Sequence, residues 1–241
     1  MSMWGSPISG RSQPFDFATG TRDSTAIHFF NAVYAWMAVG LAVTAAVGWF
    51  VSNNIAQFRQ FFSTGAMFGI VILELVLVVA ITGAVNRIGA TAATALFVLF
   101  AAINGLMLSS IFLVYSLPSI AGAFVASAAM FAVMSLYGMF TKTDLATMGK
   151  ILFMALIGLI VASVVNIFVA NSALYWLVSY AGVIIFAGLT AYDTQRLQVM
   201  AVQTQGNTAM AARLSVVGAL ILYLDFINMF LFLLRFMGKK R

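Results

Sequence analysis

Seven long apolar runs separated by short polar connections constrain this chain more than any other feature of its sequence. They lie at residues 29–51, 66–84, 90–115, 118–140, 151–170, 174–192 and 214–236. Each run is about as long as a helix needs to cross a bilayer, roughly 20 residues. In lipid, a backbone must pair its polar groups within a helix or a closed barrel, and these runs lack the alternation of barrel strands. The sequence therefore predicts an all-α polytopic membrane protein with seven transmembrane helices.

Composition agrees and excludes several kinds of site. The chain is 63% hydrophobic and 7% charged, far from the average of a soluble domain. It contains no cysteine, which excludes disulfides, thiolate chemistry and cysteine-based metal sites. One histidine without cysteine makes no convincing transition-metal site. We expect no resident cofactor and no enzymatic activity.

The domain organisation follows from the positions of the apolar runs. Residues 1–28 are polar and are predicted to be a mobile tail. The first apolar run is too long for a cleavable signal peptide, so it is expected to act as a signal anchor. Residues 29–236 form one predicted transmembrane domain, and residues 237–241 form a short basic tail. The longest connection, residues 194–213, is predicted to carry a short amphipathic helix on the membrane surface, broken at Gly206 and Asn207.

The net charge of +6 is interpreted as a topology signal and not as a nucleic-acid-binding surface. The positive-inside rule places basic connections in the cytoplasm, which predicts a cytoplasmic N-terminus. The last run either spans completely, leaving the basic C-terminal tail outside, or dips in and returns, and a complete seventh helix is favoured. The basic residues of the predicted cytoplasmic side are Arg11, Arg22, Arg87, Lys142, Lys150, Arg196 and Arg213.

Three of the six acidic residues lie in or at the edge of apolar runs, where an ionisable side chain by default marks a functional site. Asp225 is in the middle of the last run, too deep for its short side chain to reach the headgroups. Glu74 is near the centre of the second run and must face the bundle interior, where it lines a pathway or pins a packing contact. Asp193 ends the sixth run and is either functional or an interfacial charge beside Arg196.

Several other residues are expected to support this core. Arg87 is at the predicted cytoplasmic end of the second helix, as a topology charge or as a partner for Asp193. Asn228 follows Asp225 by about one helical turn and is a candidate polar support. Small residues indicate close helix packing, including the GxxxG pair Gly65/Gly69 together with Gly182 and Gly188. Interhelical hydrogen bonds are predicted for Asn104, Asn166 and Asn228.

The aspartates suggest a common chemistry. Two carboxyl groups brought together in a medium of low dielectric constant cannot both ionise easily, so they tend to share a proton and titrate as a pair. Such a pair senses pH. Once deprotonated, it also offers the hard oxygen ligands that calcium prefers, which makes Asp193 and Asp225 a candidate calcium site.

The segments AGLTAYDTQRL, containing Asp193, and LILYLDFINMFLFLLRFMG, containing Asp225, resemble the C-terminal signature of the Bax inhibitor-1 family. Glu74 in its ILEL context and the seven runs agree with bacterial members of that family. The resemblance implies a last helix surrounded by the other six and a pH-sensitive calcium leak in the bacterial inner membrane. It also implies that Asp193 and Asp225 gate the pathway, that Glu74 lines it, and that Arg87 competes for the pair.

Other classes fit less well. An intramembrane aspartyl protease needs glycines just before its second aspartate, whereas Asp225 follows Leu222, Tyr223 and Leu224. A retinal protein needs a lysine in the last helix, and residues 214–236 contain none. A secondary transporter usually shows inverted repeats, and this sequence has no convincing internal repeat. The remaining alternative is a non-conducting membrane protein that modulates a partner, such as a membrane-bound quality-control protease. The expected partners are thus the lipid bilayer, calcium ions, protons and a membrane protein, without nucleic acid.

Overall fold

The computed structural model describes residues 22–83, 88–204 and 207–239, and these residues are helical apart from short turns. Seven of the helices are long and apolar enough to cross a membrane, which confirms the predicted all-α polytopic fold. The helices are α1 (Arg22–Asn53), α2 (Ile55–Phe58), a 3-10 turn (Arg59–Phe62), α3 (Thr64–Gly83), α4 (Ala90–Val114), α5 (Leu117–Phe140), α6 (Ala146–Val169), α7 (Ser172–Gln203) and α8 (Thr208–Met237).

The two ends of the chain differ in how far the structure reaches. Helix α1 begins at Arg22, seven residues before the predicted start of the transmembrane domain, and its membrane-length part begins at Ala26. The rest of the predicted mobile tail, residues 1–21, lies outside the described residues. At the other end, Gly238 and Lys239 follow α8, and residues 240–241 lie outside the description as well.

The prediction of a long connection with its own surface helix was wrong. Helix α7 continues through Gln203, and α8 begins at Thr208, where the Asn207 side chain caps it by accepting a hydrogen bond from the Met210 N–H at 2.9 Å. The helical spacing of apolar residues in this segment belongs to α7 itself. Leu197 is buried against the bundle, whereas Arg196 and Gln203 are exposed, so the segment is a continuous helix with one buried and one exposed face.

Helix α8 is at the centre of the bundle, and most of its membrane-length part is buried. It contacts α1, α3, α4, α5 and α7, whereas α6 packs on α7 and lies behind it. Helices α3 and α6 are the least buried of the seven and present most of their surface to lipid. The centre of the bundle is therefore built from α8 and the faces of α1, α4, α5 and α7.

Glycines set the close approaches between helices. The predicted close contacts are confirmed at Gly182, which packs on the Phe232 ring, and at Gly188, which packs on Leu152. A side chain at Gly138 of α5 would collide with the Ala191 carbonyl of α7. By contrast, a Cβ at Gly65 or Gly69 would meet no atom of the described residues within 4 Å, so the GxxxG pair does not mediate packing between the described helices.

The C-terminal end of α8 is attached to the turn between α4 and α5. The Lys239 N–H donates to Ser119 Oγ at 3.1 Å, and the Ser116 N–H donates to the Lys239 carbonyl at 3.3 Å. The N-terminal end of α8 follows the end of α7 at the opposite face. Helix α8 is therefore a complete crossing, and the alternative in which the last run dips in and returns is wrong.

Candidate functional site

The structure brings Asp193 of α7 and Asp225 of α8 together. Their carboxyl groups are hydrogen-bonding neighbours, and the side chains are 9% and 5% exposed. The contact follows from helix geometry, because side chains tilt towards the N-terminus of their helix and α7 and α8 are antiparallel. The two aspartates consequently lean towards each other from adjacent helices.

The contact has an unmet hydrogen-bonding requirement. Asp225 Oδ2 is buried, and among the described residues no hydrogen-bond donor satisfies it. Two ionised carboxylates are both acceptors, so they can hydrogen-bond to each other only when one of them carries a proton. Arg196, three residues after Asp193, is a basic group that acts electrostatically on Asp193. The geometry thus suits a pair that holds one proton between two oxygens.

A chain of hydroxyl groups fixes α7 beside Asp193. Thr194 donates its hydroxyl to the Thr190 carbonyl at 2.8 Å, so it can only accept from Ser135, whose Oγ is 3.0 Å away. Ser135 in turn accepts from the Tyr34 hydroxyl at 2.5 Å. The chain therefore runs in one direction, from α1 through α5 to α7, and restricts rotation of α7 next to Asp193.

Two glutamines attach the same part of α7 to the connection between α5 and α6. Gln195 accepts from the Leu145 N–H at 2.8 Å and donates to the Thr143 carbonyl at 2.9 Å. Gln198 donates to the Met139 carbonyl at 2.6 Å. Together with the hydroxyl chain, these bonds hold Asp193 on a rigid support.

Glu74 is placed away from the aspartate pair. It is half-buried near the centre of α3 and accepts a hydrogen bond at 3.2 Å from the side-chain amide of Asn104 on α4. Asn104 thus makes the interhelical hydrogen bond predicted from the sequence. Its Oδ1 is buried and has no hydrogen-bond partner among the described residues. Glu74 and Asn104 therefore form a second polar site inside the bundle, which we call the Glu74 site.

Tyr223 of α8, which was not among the predicted site residues, is buried next to the Glu74 site. Its hydroxyl is 2.7 Å from Thr44 Oγ1, and Thr44 donates its own proton to the Ala101 carbonyl at 2.9 Å. Tyr223 is therefore the donor to Thr44. The edges and faces of Phe97 and Phe100 enclose its ring, with centroids 5.8 and 5.9 Å away. A tyrosine two residues before Asp225 in an otherwise apolar run was the signal that could have revealed it.

Of the remaining predicted site residues, Asn228 does not join the pair. Asn228 donates its amide to the Leu224 carbonyl of its own helix at 2.8 Å. Asn166 accepts from the Asn171 N–H in the turn after α6, so the interhelical bonds predicted for these two asparagines were wrong. Arg87, predicted as a counter-charge, lies outside the described residues.

The donor set limits what the site can bind. Among residues 22–83, 88–204 and 207–239, no group of three or more His, Cys, Asp or Glu residues is placed to hold a metal ion. The aspartate pair supplies at most about four carboxylate oxygens, fewer than the six to eight that calcium takes. Such a pair suits transient contact with a partly hydrated cation better than permanent binding.

A groove and a smaller cavity lie between the described helices, and the smaller one contacts residues of the hydrogen-bonded support around Asp193. An open groove of about 540 Å³ lies between α1, α4 and α8, and its lining includes Trp36, Thr94 and Ser215. A smaller cavity of about 200 Å³ is lined by residues that include Asn31, Tyr34 and Gln198. The smaller cavity reaches the first member of the hydroxyl chain, so polar groups continue from it towards the helix turn that bears Asp193.

Comparison with known proteins gives consistent results over most of the chain. The model of a family described as inhibitor of apoptosis-promoting Bax1 matches residues 27–241. The inner membrane protein YbhL of Escherichia coli K12 is 48% identical over 215 residues, which cover 88% of this chain and 92% of that protein. An uncharacterized protein of Borreliella burgdorferi is 44% identical over 214 residues, with the same coverage of each chain. The uncharacterized protein YrjE of Lactococcus lactis is 41% identical over 216 residues, 87% of this chain and 90% of its own.

Proposed function

Because this integral membrane protein belongs to the Bax inhibitor-1 family, we propose that it is a pH-sensitive calcium leak channel whose gate is the proton-sharing pair Asp193 and Asp225. The observation that carries the proposal is the buried contact between the two carboxyl groups, in which Asp225 Oδ2 has no donor among the described residues. A contact of this kind depends on one proton, so a change in pH changes the force between α7 and α8. By analogy with YbhL, whose name describes an inner membrane protein, we place the chain in the bacterial inner membrane.

The proposed mechanism begins at the pair. With one shared proton, the carboxyl groups hold each other by a hydrogen bond, and without it their like charges repel in a medium of low dielectric constant. The deprotonated pair is then free to contact calcium, water or a basic group. A contact that exists in two states and is biased by a proton is the kind of element that a switch requires.

Helix α3 is the proposed moving element. It is among the least buried of the long helices, whereas the turn of Asp193 is held by the hydroxyl chain and by two glutamines. The proposal gives Arg87, which follows α3 in the sequence, the role of counter-charge. Movement of α3 carries Glu74 with it and alters the route between the Glu74 site and the aspartate pair. No catalytic step and no resident cofactor form part of the mechanism, because calcium and protons are the transported or bound species.

Calcium entry into proteoliposomes tests the proposal. We expect entry that varies between about pH 5 and pH 8 in the wild-type protein and no longer varies in the Asp193→Asn/Asp225→Asn variant. Asp144→Asn is the matched control, because Asp144 is exposed in the turn before α6 and caps the Ala146 N–H at 2.9 Å. An unchanged pH profile in the double variant contradicts the gate. Absence of calcium entry at every pH contradicts the channel and moves the assignment to a modulator of another membrane protein.

A further inference from the structure

Tyr223 and Asp225 are two residues apart on α8 and therefore point to nearly opposite faces of that helix, about 200° apart. Asp225 meets Asp193 of α7. Tyr223 instead contacts α1 through Thr44 and α4 through Phe97 and Phe100. Helix α8 thus directs Asp225 towards α7 and Tyr223 towards α1 and α4.

On its own side of α8, Tyr223 is close enough to Glu74 for the two groups to interact electrostatically. Glu74 is held by Asn104 of α4, the same helix that supplies Phe97 and Phe100. The ring of Tyr223 therefore lies beside the Glu74 site, on the face of α8 opposite Asp225. That ring is 0% exposed.

The ring has no free space around it. A Cβ atom added at Gly40 of α1 would come within 2.5 Å of Phe97 Cζ and 3.2 Å of Tyr223 Cδ2, so the α1 backbone presses directly on this aromatic group. The hydroxyl is equally constrained, because it donates to Thr44, which donates to the Ala101 carbonyl. Both the ring and its polar end are thereby held in one orientation.

We propose that Tyr223 is a second gate, closed in this structure, between the Glu74 site and the pH-sensitive aspartate pair, and that Thr44 is the positioning residue that holds Tyr223 in place. The inference rests on the proposed function, since a gate matters only if ions pass. In the open state the Tyr223 hydroxyl leaves Thr44, and the ring moves away from Phe97 and Phe100. Movement of α3 and α4 relative to α8 supplies the necessary space, because α4 contributes both phenylalanines.

Calcium leak of hydroxyl-deletion variants tests the gate. Tyr223→Phe keeps the ring and removes the donor, and Thr44→Val keeps the shape and removes the acceptor. At the pH where the wild-type protein leaks least, we expect each variant to leak about fivefold faster, the shift that loss of one intramolecular hydrogen bond gives to a two-state equilibrium. The double variant should leak no faster than Thr44→Val, since both substitutions remove the Tyr223–Thr44 bond and only Thr44→Val also removes the bond to the Ala101 carbonyl.

The matched controls remove hydroxyl groups elsewhere. Tyr180→Phe alters a lipid-facing tyrosine of α7, and Thr82→Val alters a threonine of α3 that bonds to the Val78 carbonyl of its own helix at 2.7 Å. Both should leak like the wild type. Trapped calcein should be retained in every sample, because a general loss of packing would release it while opening of a narrow gate would not.

The outcomes separate the inference from the proposed function. A pH-dependent wild-type leak combined with unchanged leak in Tyr223→Phe and Thr44→Val overturns the gate and leaves the channel standing. Absence of wild-type leak at every pH, together with absence of leak in both variants, overturns the proposed function and the gate with it. A raised leak in both single variants, with calcein retained, supports the gate.

Discussion

At the scale of single residues, the contact between Asp193 and Asp225 is energetically costly. One buried oxygen, Asp225 Oδ2, lacks a donor among the described residues. A protein retains such an arrangement at a cost of about 1–3 kcal/mol for an unsatisfied buried polar atom. A functional contact that depends on a proton gives a physical reason for keeping it.

Asp225→Asn should stabilise the protein, and more so at high pH. The amide keeps the shape of the carboxyl group and donates an N–H to Asp193, whereas the wild-type pair must retain a proton that becomes scarcer as pH rises. We expect the melting temperature of the variant to exceed that of the wild type by a larger margin at pH 8 than at pH 5. Thermal unfolding in detergent at the two pH values measures this, and an equal margin at both would contradict the shared proton.

Asn104→Leu should destabilise the bundle by about 0.5–2 kcal/mol, because it leaves the half-buried Glu74 without its side-chain donor. The loss should be smaller when Glu74→Leu is already present, since the pair then has no bond to lose. A double-mutant cycle of unfolding free energies measures the coupling. Asn53→Leu is the control, because the Asn53 amide bonds to the Trp49 carbonyl at the exposed end of α1. Additive effects of the two substitutions would contradict the contact.

The sequence revealed residues of the site more readily than their partners. Carboxylates inside apolar runs are conspicuous because burial of charge is costly, so Glu74, Asp193 and Asp225 could be found without a structure. Hydroxyl groups are common in membrane helices and give no such signal. Thr44 and Tyr223 are 179 residues apart in the chain, and only the packing of α1 against α8 brings them together.

At the scale of helices, hydropathy located the crossings but not the ends of α7. The segment after Tyr192 is polar enough to look like a connection, yet Leu197 and Ala201 return to the buried face at helical spacing. A helix that extends beyond the membrane needs only one apolar stripe, because water satisfies its other side. For this reason the predicted surface helix and α7 were one element.

Close packing of α5 against α7 gives a prediction for a single glycine. Gly138→Ala should destabilise the protein by about 1–3 kcal/mol, because the added methyl group collides with the Ala191 carbonyl, which cannot move without displacing α7. Gly122→Ala in the same helix is the matched control, since a Cβ there meets no atom of the described part of the chain within 4 Å. Unfolding monitored by circular dichroism in detergent compares them. Equal stability of the two variants would contradict the tight α5–α7 contact.

At the scale of the whole molecule, the helices differ in how firmly they are held. Helices α5, α6 and α7 are joined by glycine contacts and by the glutamines at the Asp193 turn, and α8 is buried at the centre. Helix α3 packs mainly on α4 and presents most of its surface to lipid. The seven crossings could be predicted from hydropathy, and the central position of the last helix could be predicted from the family resemblance. The unequal support of the helices depends on interhelical contacts that hydropathy does not encode.

The positions of Lys142 and Lys239 predict how the molecule is oriented in the membrane. The structure places Lys239 beside the turn between α4 and α5, at the face opposite the turn between α5 and α6 that carries Lys142. The basic connections favour a cytoplasmic position for Lys142, so the end of α8 should lie outside despite its positive charge. Because the chain has no cysteine, Lys142→Cys and Lys239→Cys each introduce a single thiol.

In intact Escherichia coli cells, a membrane-impermeant maleimide should label Lys239→Cys and should label Lys142→Cys only after lysis. The cysteine-free parent is the control for background labelling. Labelling of both positions before lysis, or of neither, would place the two ends of the bundle on one side and contradict the complete crossing of α8. Labelling of Lys142→Cys alone would keep the crossing but invert the molecule. An inverted protein would expose the α7–α8 turn outside, and the C-terminal end of α8 would then lie in the cytoplasm.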